Sequence, residues 1–116
     1  DWRVKNAAAA KLKKGDGAPR LEFEPNPDIL ATVAAIKHGP FCVGFAAETD
    51  DIERHGTAKR KAKNVPLLVA NRAQDAFGAE DNELVLIDAD GSHALPRAGK
   101  LAQARRLVAE IARRLV

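Results

Sequence analysis

Cysteine, tyrosine and methionine are almost or wholly missing from this chain, and each shortage narrows what it can be. Cys42 is the single cysteine, which excludes an intrachain disulfide and fits a reducing, cytoplasmic compartment. Aromatic residues are limited to four Phe and one Trp, so the core has to come from Ala, Leu, Val and Ile. The same scarcity argues against the stacking platforms that hold single-stranded nucleic acid. No apolar run approaches membrane-spanning length, and no signal peptide is visible. His38, His55 and His93 have no ligand-like spacing and no nearby cysteine, which points away from a histidine metal site. A Walker-type loop, a GxGxxG fingerprint and a nucleophile elbow are all absent. With no initiating Met, the chain reads as cut from something longer.

What is present describes a single globular domain: 116 residues, 46% hydrophobic and 30% charged. Nineteen Lys and Arg against sixteen Asp and Glu give a net charge of +3, suited to anionic ligands without requiring nucleic acid.

Residues 4–14 (VKNAAAAKLKK) predict a helix from their alanines, weakly anchored because little large apolar surface accompanies them. GDGAP breaks it, and RLEFE (20–24) alternates as a half-buried strand. Residues 26–40 (NPDILATVAAIKHGP) predict a second helix with Asn26 as N-cap, Pro27 in the first turn and Asp28 at the positive end. Ile29, Val33 and Ile36 would form its apolar stripe, and Gly39-Pro40 would stop it. FCVGFAA (41–47) reads as a parallel strand covered on both faces. A helix capped by Thr49 or Asp50, with Glu53 in capping-box spacing, follows and runs to about residue 62. VPLLVAN (65–71) is a second buried strand, 73–82 a loop, and 83–97 a hairpin turning near Asp90-Gly91. Residues 98–116 predict an amphipathic helix with Leu101, Ala104, Leu107, Val108, Ile111 and Leu115 on one face. Buried strands alternating with helices imply an α/β three-layer unit of αβα type with an antiparallel hairpin added. Ligands of such sheets sit beyond the carboxyl ends of the parallel strands, where GFAAET lies.

Three groups of residues invite chemistry. Lys59 and Lys63 share a helix face and could grip one polyphosphate, although cations at a helix C-terminus also simply complement its dipole. Lys11, Lys13 and Lys14 precede a glycine-rich break, as a solvated helix end or as a mobile flap. Asn26-Pro27-Asp28 presents a helix N-terminus that could bind phosphate, with Asp28 beside it to hold Mg²⁺, or it is plain capping.

In this order, DWR, KLKK, NPDIL, VGFAAET, KRKAKN and VAN resemble the C-terminal half of bacterial phosphopantothenate–cysteine ligase, commonly fused behind a flavin-dependent decarboxylase that carries FMN. The resemblance covers the chain from Asp1 to the final helix and implies the C-terminal part of a Rossmann-like three-layer domain. It implies a ligation in coenzyme A biosynthesis. CTP activates 4'-phosphopantothenate as an acyl-cytidylate, and L-cysteine then displaces CMP, with Mg²⁺ and lysines neutralising phosphate charge. Carried over by motif, Asp1 would hold the ribose hydroxyls and Lys11 would lie on a flap serving the second step. Pro27, Asp28, Ile29 and Leu30 would line the nucleotide site, Phe45 would pack on the nucleotide, and Lys59 and Lys63 would meet it by charge, leaving Arg60 and Lys61 as surface charges.

This sequence departs from the family in carrying Val4 where proline is usual, and in lacking the N-terminal half that supplies a glycine-rich loop and an asparagine needed for acyl-cytidylate formation. Family members dimerise, and RLEFE and the 83–97 hairpin are the candidate contacts. Two competing expectations are a basic module binding RNA or DNA and a pure dimerisation fragment.

Overall fold

A computed structural model describes residues 1–72 and 80–116. Its centre is a four-stranded mixed sheet in the order β3-β4-β5-β6, formed by β3 (Val43–Glu48), β4 (Leu67–Arg72), β5 (Asp81–Ile87) and β6 (Ser92–Gly99). A separate antiparallel ribbon pairs β1 (Trp2–Val4) with β2 (Phe23–Pro25). The helices are α1 (Ile29–Ala34), α2 (Ile52–Lys63) and α3 (Lys100–Arg114). β3 and β4 run parallel through α2, whereas β4, β5 and β6 alternate in direction.

β4 is the strand on which the core is organised. Leu68 and Ala70 face one side with Cys42, Val65 and Ile87, joined by Leu30, Val33 and Ala34 of α1 and Ile52 of α2. Leu67 and Val69 face the other side with Leu84 and Leu86, covered by Leu107 and Ile111 of α3. The result is the expected αβα sandwich with an antiparallel hairpin. Each fully buried Leu, Val or Ile contributes about 1.5–3 kcal/mol, so β4 alone holds a large share of the stability. Among the described residues no helix is long and apolar enough to cross a membrane.

Two glycines have structural reasons. A Cβ at Gly56 would lie 2.3 Å from Ile87 Cδ1, so its absence lets α2 approach β5 closely. Gly56 therefore does not interrupt α2, which continues to Lys63 and ends at left-handed Asn64, whose N–H donates to the Arg60 and Lys61 carbonyls. Gly91 takes φ 134° at the hairpin turn, where the Asp88 carboxylate accepts from the N–H groups of Asp90 (2.9 Å) and Gly91 (3.2 Å). Burial pushes the Asp88 carboxyl up, but hydrogen bonds from Arg114, the Asp90 N–H and His93 outweigh it and hold the group below its usual value.

Several local expectations give way. Residues 4–14 are not helical: Val4 belongs to β1 and a short 3₁₀ turn covers Lys14–Asp16. The whole stretch is exposed, and alanine propensity without an apolar face to bury does not overcome helix nucleation. Asp28, not Asn26, caps α1, its Oδ1 accepting from the Ala31 N–H at 3.0 Å. Helix α1 stops at Ala34, and Leu30, Val33 and Ala34 pack inward while Ile29 and Ile36 stay exposed. Asp51 replaces Thr49 or Asp50 as the cap of α2, in a left-handed conformation. β3 is an edge strand covered mainly on the α1–α2 side, so it is not buried on both faces. Of the expected 73–82 loop, residues 73–79 lie outside the described residues, while Asp81 and Asn82 already belong to β5.

The last helix forms with a rotated face. Gln103 and Leu107 are buried, whereas Leu101, Val108 and Leu115 are exposed. The Gln103 amide donates to the Asn82 (2.8 Å) and Pro96 (3.0 Å) carbonyls, and Arg114 reaches Asp88 at 2.9 Å. These polar anchors turn the helix away from the face that hydrophobicity alone selects.

Candidate functional site

The β1–β2 ribbon brings the chain start to the beginning of α1. Its register pairs Trp2 with Pro25, and the Asn26 N–H donates to the Asp1 carbonyl at 2.9 Å. Asp1, Trp2 and the run Pro25–Leu30 then wall a cavity of about 560 Å³, closed on one side by Lys63 from the last turn of α2. The volume is in the range of small-ligand pockets.

One ion pair spans the wall of this cavity, beside the carboxylate of Asp1. Lys63 Nζ donates to Asp28 Oδ2, while Oδ1 of the same carboxylate caps α1. The Lys63 hydrogen bond first, and then the Ala31 N–H, hold the Asp28 carboxyl below its usual value. The pair is open to solvent, with the Asp28 side chain 43% and the Lys63 side chain 38% exposed. With α1 six residues long, its dipole is small, and the helix start offers an anion at most the Ile29 and Leu30 N–H groups, because the Ala31 N–H already donates to Asp28.

Asp28 by itself builds no closed magnesium site, and Mg²⁺ held there would be shared between this carboxylate and the oxygens of a bound polyphosphate. Both of its oxygens are engaged, and no group of three His, Cys, Asp or Glu capable of holding a metal occurs among the described residues.

Lys59, one turn before Lys63, pairs with a different carboxylate. Its ammonium meets Glu48 at the carboxyl end of β3, where the Glu48 side chain is only 10% exposed and the Lys59 side chain 50%. His55 lies alongside, its Nδ1 at 3.9 Å from Glu48 Oε2. The His55 Nδ1–H donates to the Asp50 carbonyl at 3.0 Å, and Arg54 donates to Nε2 at 3.3 Å, which selects one neutral tautomer and ties down the β3–α2 turn. Arg60 is not a free surface charge: its guanidinium donates to the Val65 carbonyl at 3.1 Å, whereas Lys61 is exposed.

Of the residues singled out in the sequence, Asp1, Pro27, Asp28, Ile29, Leu30 and Lys63 converge on the cavity. Lys59 stands one helical turn away and does not line it. Phe45 is 70% exposed and, by strand alternation, faces the opposite side of β3 from Gly44 and Ala46, which pack toward α1 and α2. Lys11 lies in exposed coil and lines a separate hollow with Leu12, Lys13 and Lys14. Sequence reasoning missed Trp2 and Glu48. The chain's single tryptophan, beside Asp1, and a carboxylate ending an apolar run were the available signals.

Residues 1–115 match the family described as the DNA/pantothenate metabolism flavoprotein C-terminal domain. Similar curated proteins are the coenzyme A biosynthesis bifunctional proteins CoaBC of Vibrio cholerae, 41% identical over 90% of this chain and 28% of that protein, and of Escherichia coli, 38% identical over 98% and 30%. The chain thus spans under a third of the length of these relatives. A crystal structure of the C-terminal domain of CoaBC superposes with a TM-score of 0.74 at 29% identity, covering 99% of this chain and 50% of that one. The DNA/pantothenate metabolism flavoprotein from Streptococcus pneumoniae shares the fold, with a TM-score of 0.67 at 22% identity over 88% of this chain and 45% of that one. With the match running almost end to end, the chain belongs to the family of the DNA/pantothenate metabolism flavoprotein C-terminal domain.

Proposed function

We propose that this chain is the C-terminal part of a CTP-dependent ligase that joins 4'-phosphopantothenate to L-cysteine in coenzyme A biosynthesis. The observation that carries the proposal is the convergence of Asp1, Pro27, Asp28, Ile29, Leu30 and Lys63, drawn from three separate stretches of sequence, on one cavity. Membership of the family and similarity to bifunctional coenzyme A biosynthesis proteins support the same reaction.

A carboxylate does not react with an amine unaided. In the proposed reaction the phosphopantothenate carboxylate attacks the α-phosphate of CTP and pyrophosphate leaves. The cysteine amine then attacks the acyl-cytidylate carbonyl, and CMP leaves as the product amide forms. The chain's own part is to bind and orient the nucleotide. Asp1 accepts from the ribose hydroxyls, and the wall from Pro27 to Leu30 receives the nucleotide with the N–H groups of Ile29 and Leu30. Lys63 exchanges Asp28 for a phosphate oxygen, and Lys59 adds positive charge one turn away. Phe45 packs on the nucleotide from the edge of β3, a role that requires the ligand or a neighbouring segment to reach that face. Lys11 serves the second step from its exposed segment, which is free to close over the site. The flavin-dependent decarboxylation with its FMN belongs to other parts of such bifunctional proteins, and homodimerisation and a cytoplasmic location complete the proposal.

The test is the melting temperature of the complete protein with CTP or ATP. A larger rise with CTP is expected, because a ligand that binds only the native state stabilises it by mass action. An equal or larger rise with ATP contradicts the cytidine assignment.

A further inference from the structure

Glu48 is a buried carboxylate that the scheme above leaves without a task. Two other buried polar groups near the sheet have visible work: Asp88 organises the hairpin turn and receives Arg114, and the Gln103 amide N–H ties α3 to the Asn82 and Pro96 carbonyls. Glu48 instead sits at the carboxyl end of β3, its charge turned toward Lys59.

We propose that Glu48 is a positioning residue that fixes the Lys59 ammonium at the end of β3, so that Lys59 meets the nucleotide's phosphates without ever leaving its carboxylate. This inference rests on the nucleotide assignment above and adds a partner to it. Three observations carry it. First, the burial of the pair is asymmetric: the carboxylate is nearly enclosed while the lysine is half exposed, so one side of the ammonium faces Glu48 and the other faces solvent. Second, an ammonium has three donors, and Glu48 leaves donors over for an incoming anion. Third, departure of Lys59 would strand a buried, uncompensated carboxylate, which is strongly unfavourable. His55 does not replace the lysine, because its Nδ1–H is directed to the Asp50 carbonyl and its Nε2 accepts from Arg54. The turn that carries Glu48 into α2 is itself fixed by Asp51, which caps the helix from a left-handed conformation.

Lys63 is held differently. Its partner Asp28 is open to water, so exchange for a phosphate oxygen leaves no buried charge behind. The two lysines therefore divide the work: Lys63 moves, and Lys59 stays.

The experiment is isothermal titration of CTP, and separately of inorganic triphosphate, into the complete protein as wild type, Glu48→Gln, Lys59→Gln and the double variant, each with its melting temperature. The expected result is that Glu48→Gln weakens both ligands about five- to tenfold, the scale of one charge-assisted hydrogen bond. In the Lys59→Gln background it weakens them no further. A merely structural Glu48 would weaken binding equally in both backgrounds, and that result overturns the inference. So does a Glu48→Gln variant that binds as tightly as wild type or more tightly, which would make the carboxylate only a repelling charge. Wild type that binds no CTP overturns the nucleotide assignment and this inference together, and so is distinct from additive losses, which overturn the inference alone. Should Glu48→Gln fail to fold, the exchange rate of the Lys59 ammonium protons in the wild type decides. Protection relative to Lys61, with and without CTP, supports the inference, and exchange as fast as Lys61 overturns it.

Discussion

Two lysines one turn apart on α2 are each held by a carboxylate, yet the two pairs are physically unlike. Glu48 meets Lys59 inside the wall of the domain, whereas Asp28 meets Lys63 at the open mouth of a cavity. A pair with a buried carboxylate fixes geometry, because separating it strands a charge. An exposed pair contributes little stability and is readily exchanged for a ligand. Sequence spacing makes the two lysines equivalent, and only their partners distinguish them. A third lysine, Lys11, has neither kind of partner among the described residues and lies in exposed coil.

Lys11 therefore gives the largest expected effect in catalysis. Lys11→Gln in the complete protein should leave pyrophosphate release detectable while slowing conversion of the acyl-cytidylate by cysteine about a hundredfold. Single-turnover measurement of the two products separates the steps, and wild-type rates for both would return Lys11 to the status of a surface charge.

The platform beneath both pairs comes next. Gly56→Val forces a side chain into the space of Ile87 and lifts α2 from β5, at a cost of about 3 kcal/mol. Urea titration should show it, and unchanged stability would mean that α2 is not seated as described. Within the comparison itself, Lys59→Met should cost about 2 kcal/mol, less than for a fully buried pair because Lys59 is half exposed. Lys63→Met should change stability far less, and equal losses would erase the distinction between the pairs.

The smallest effect is a titration. The Asp28 carboxyl is held low mainly by Lys63. Because its folded-state pKa is depressed, its contribution to stability is complete above the ordinary value of 3.8 and is lost as pH falls below it. Carboxyl-carbon NMR should find the Asp28 midpoint below that of an exposed aspartate and moved upward in Lys63→Met.

The sheet was legible because its signals are local and redundant. LLVA in β4 is a continuous apolar run that is buried throughout, and Asp90-Gly91 marks a hairpin whose turn forms where such turn residues place it. Residues 4–14 misled because propensity was the only signal there, with no apolar face to anchor a helix. The face of α3 was misjudged because Gln103 and Arg114 orient it through partners distant in sequence, a register that hydrophobic spacing does not encode. At the site, motif resemblance named Asp1, Pro27, Asp28, Ile29, Leu30 and Lys63, which share one cavity, but Glu48 and Trp2 needed the strand end and the ribbon pairing to be seen in space. Phe45 shows the converse: its motif position was plain, and the structure places it on the other face of β3 from the cavity-side residues.

Isothermal titration of CTP into the complete protein with Lys63→Ala and Lys61→Ala tests the central claim most directly, since one lysine lines the cavity and the other, two residues earlier on α2, is exposed outside it. Loss of about 1–3 kcal/mol of binding energy in Lys63→Ala, with Lys61→Ala unchanged, is the predicted result. Equal losses in both variants would mean diffuse attraction by basic charge and would contradict a nucleotide site built from Asp1, the start of α1 and Lys63.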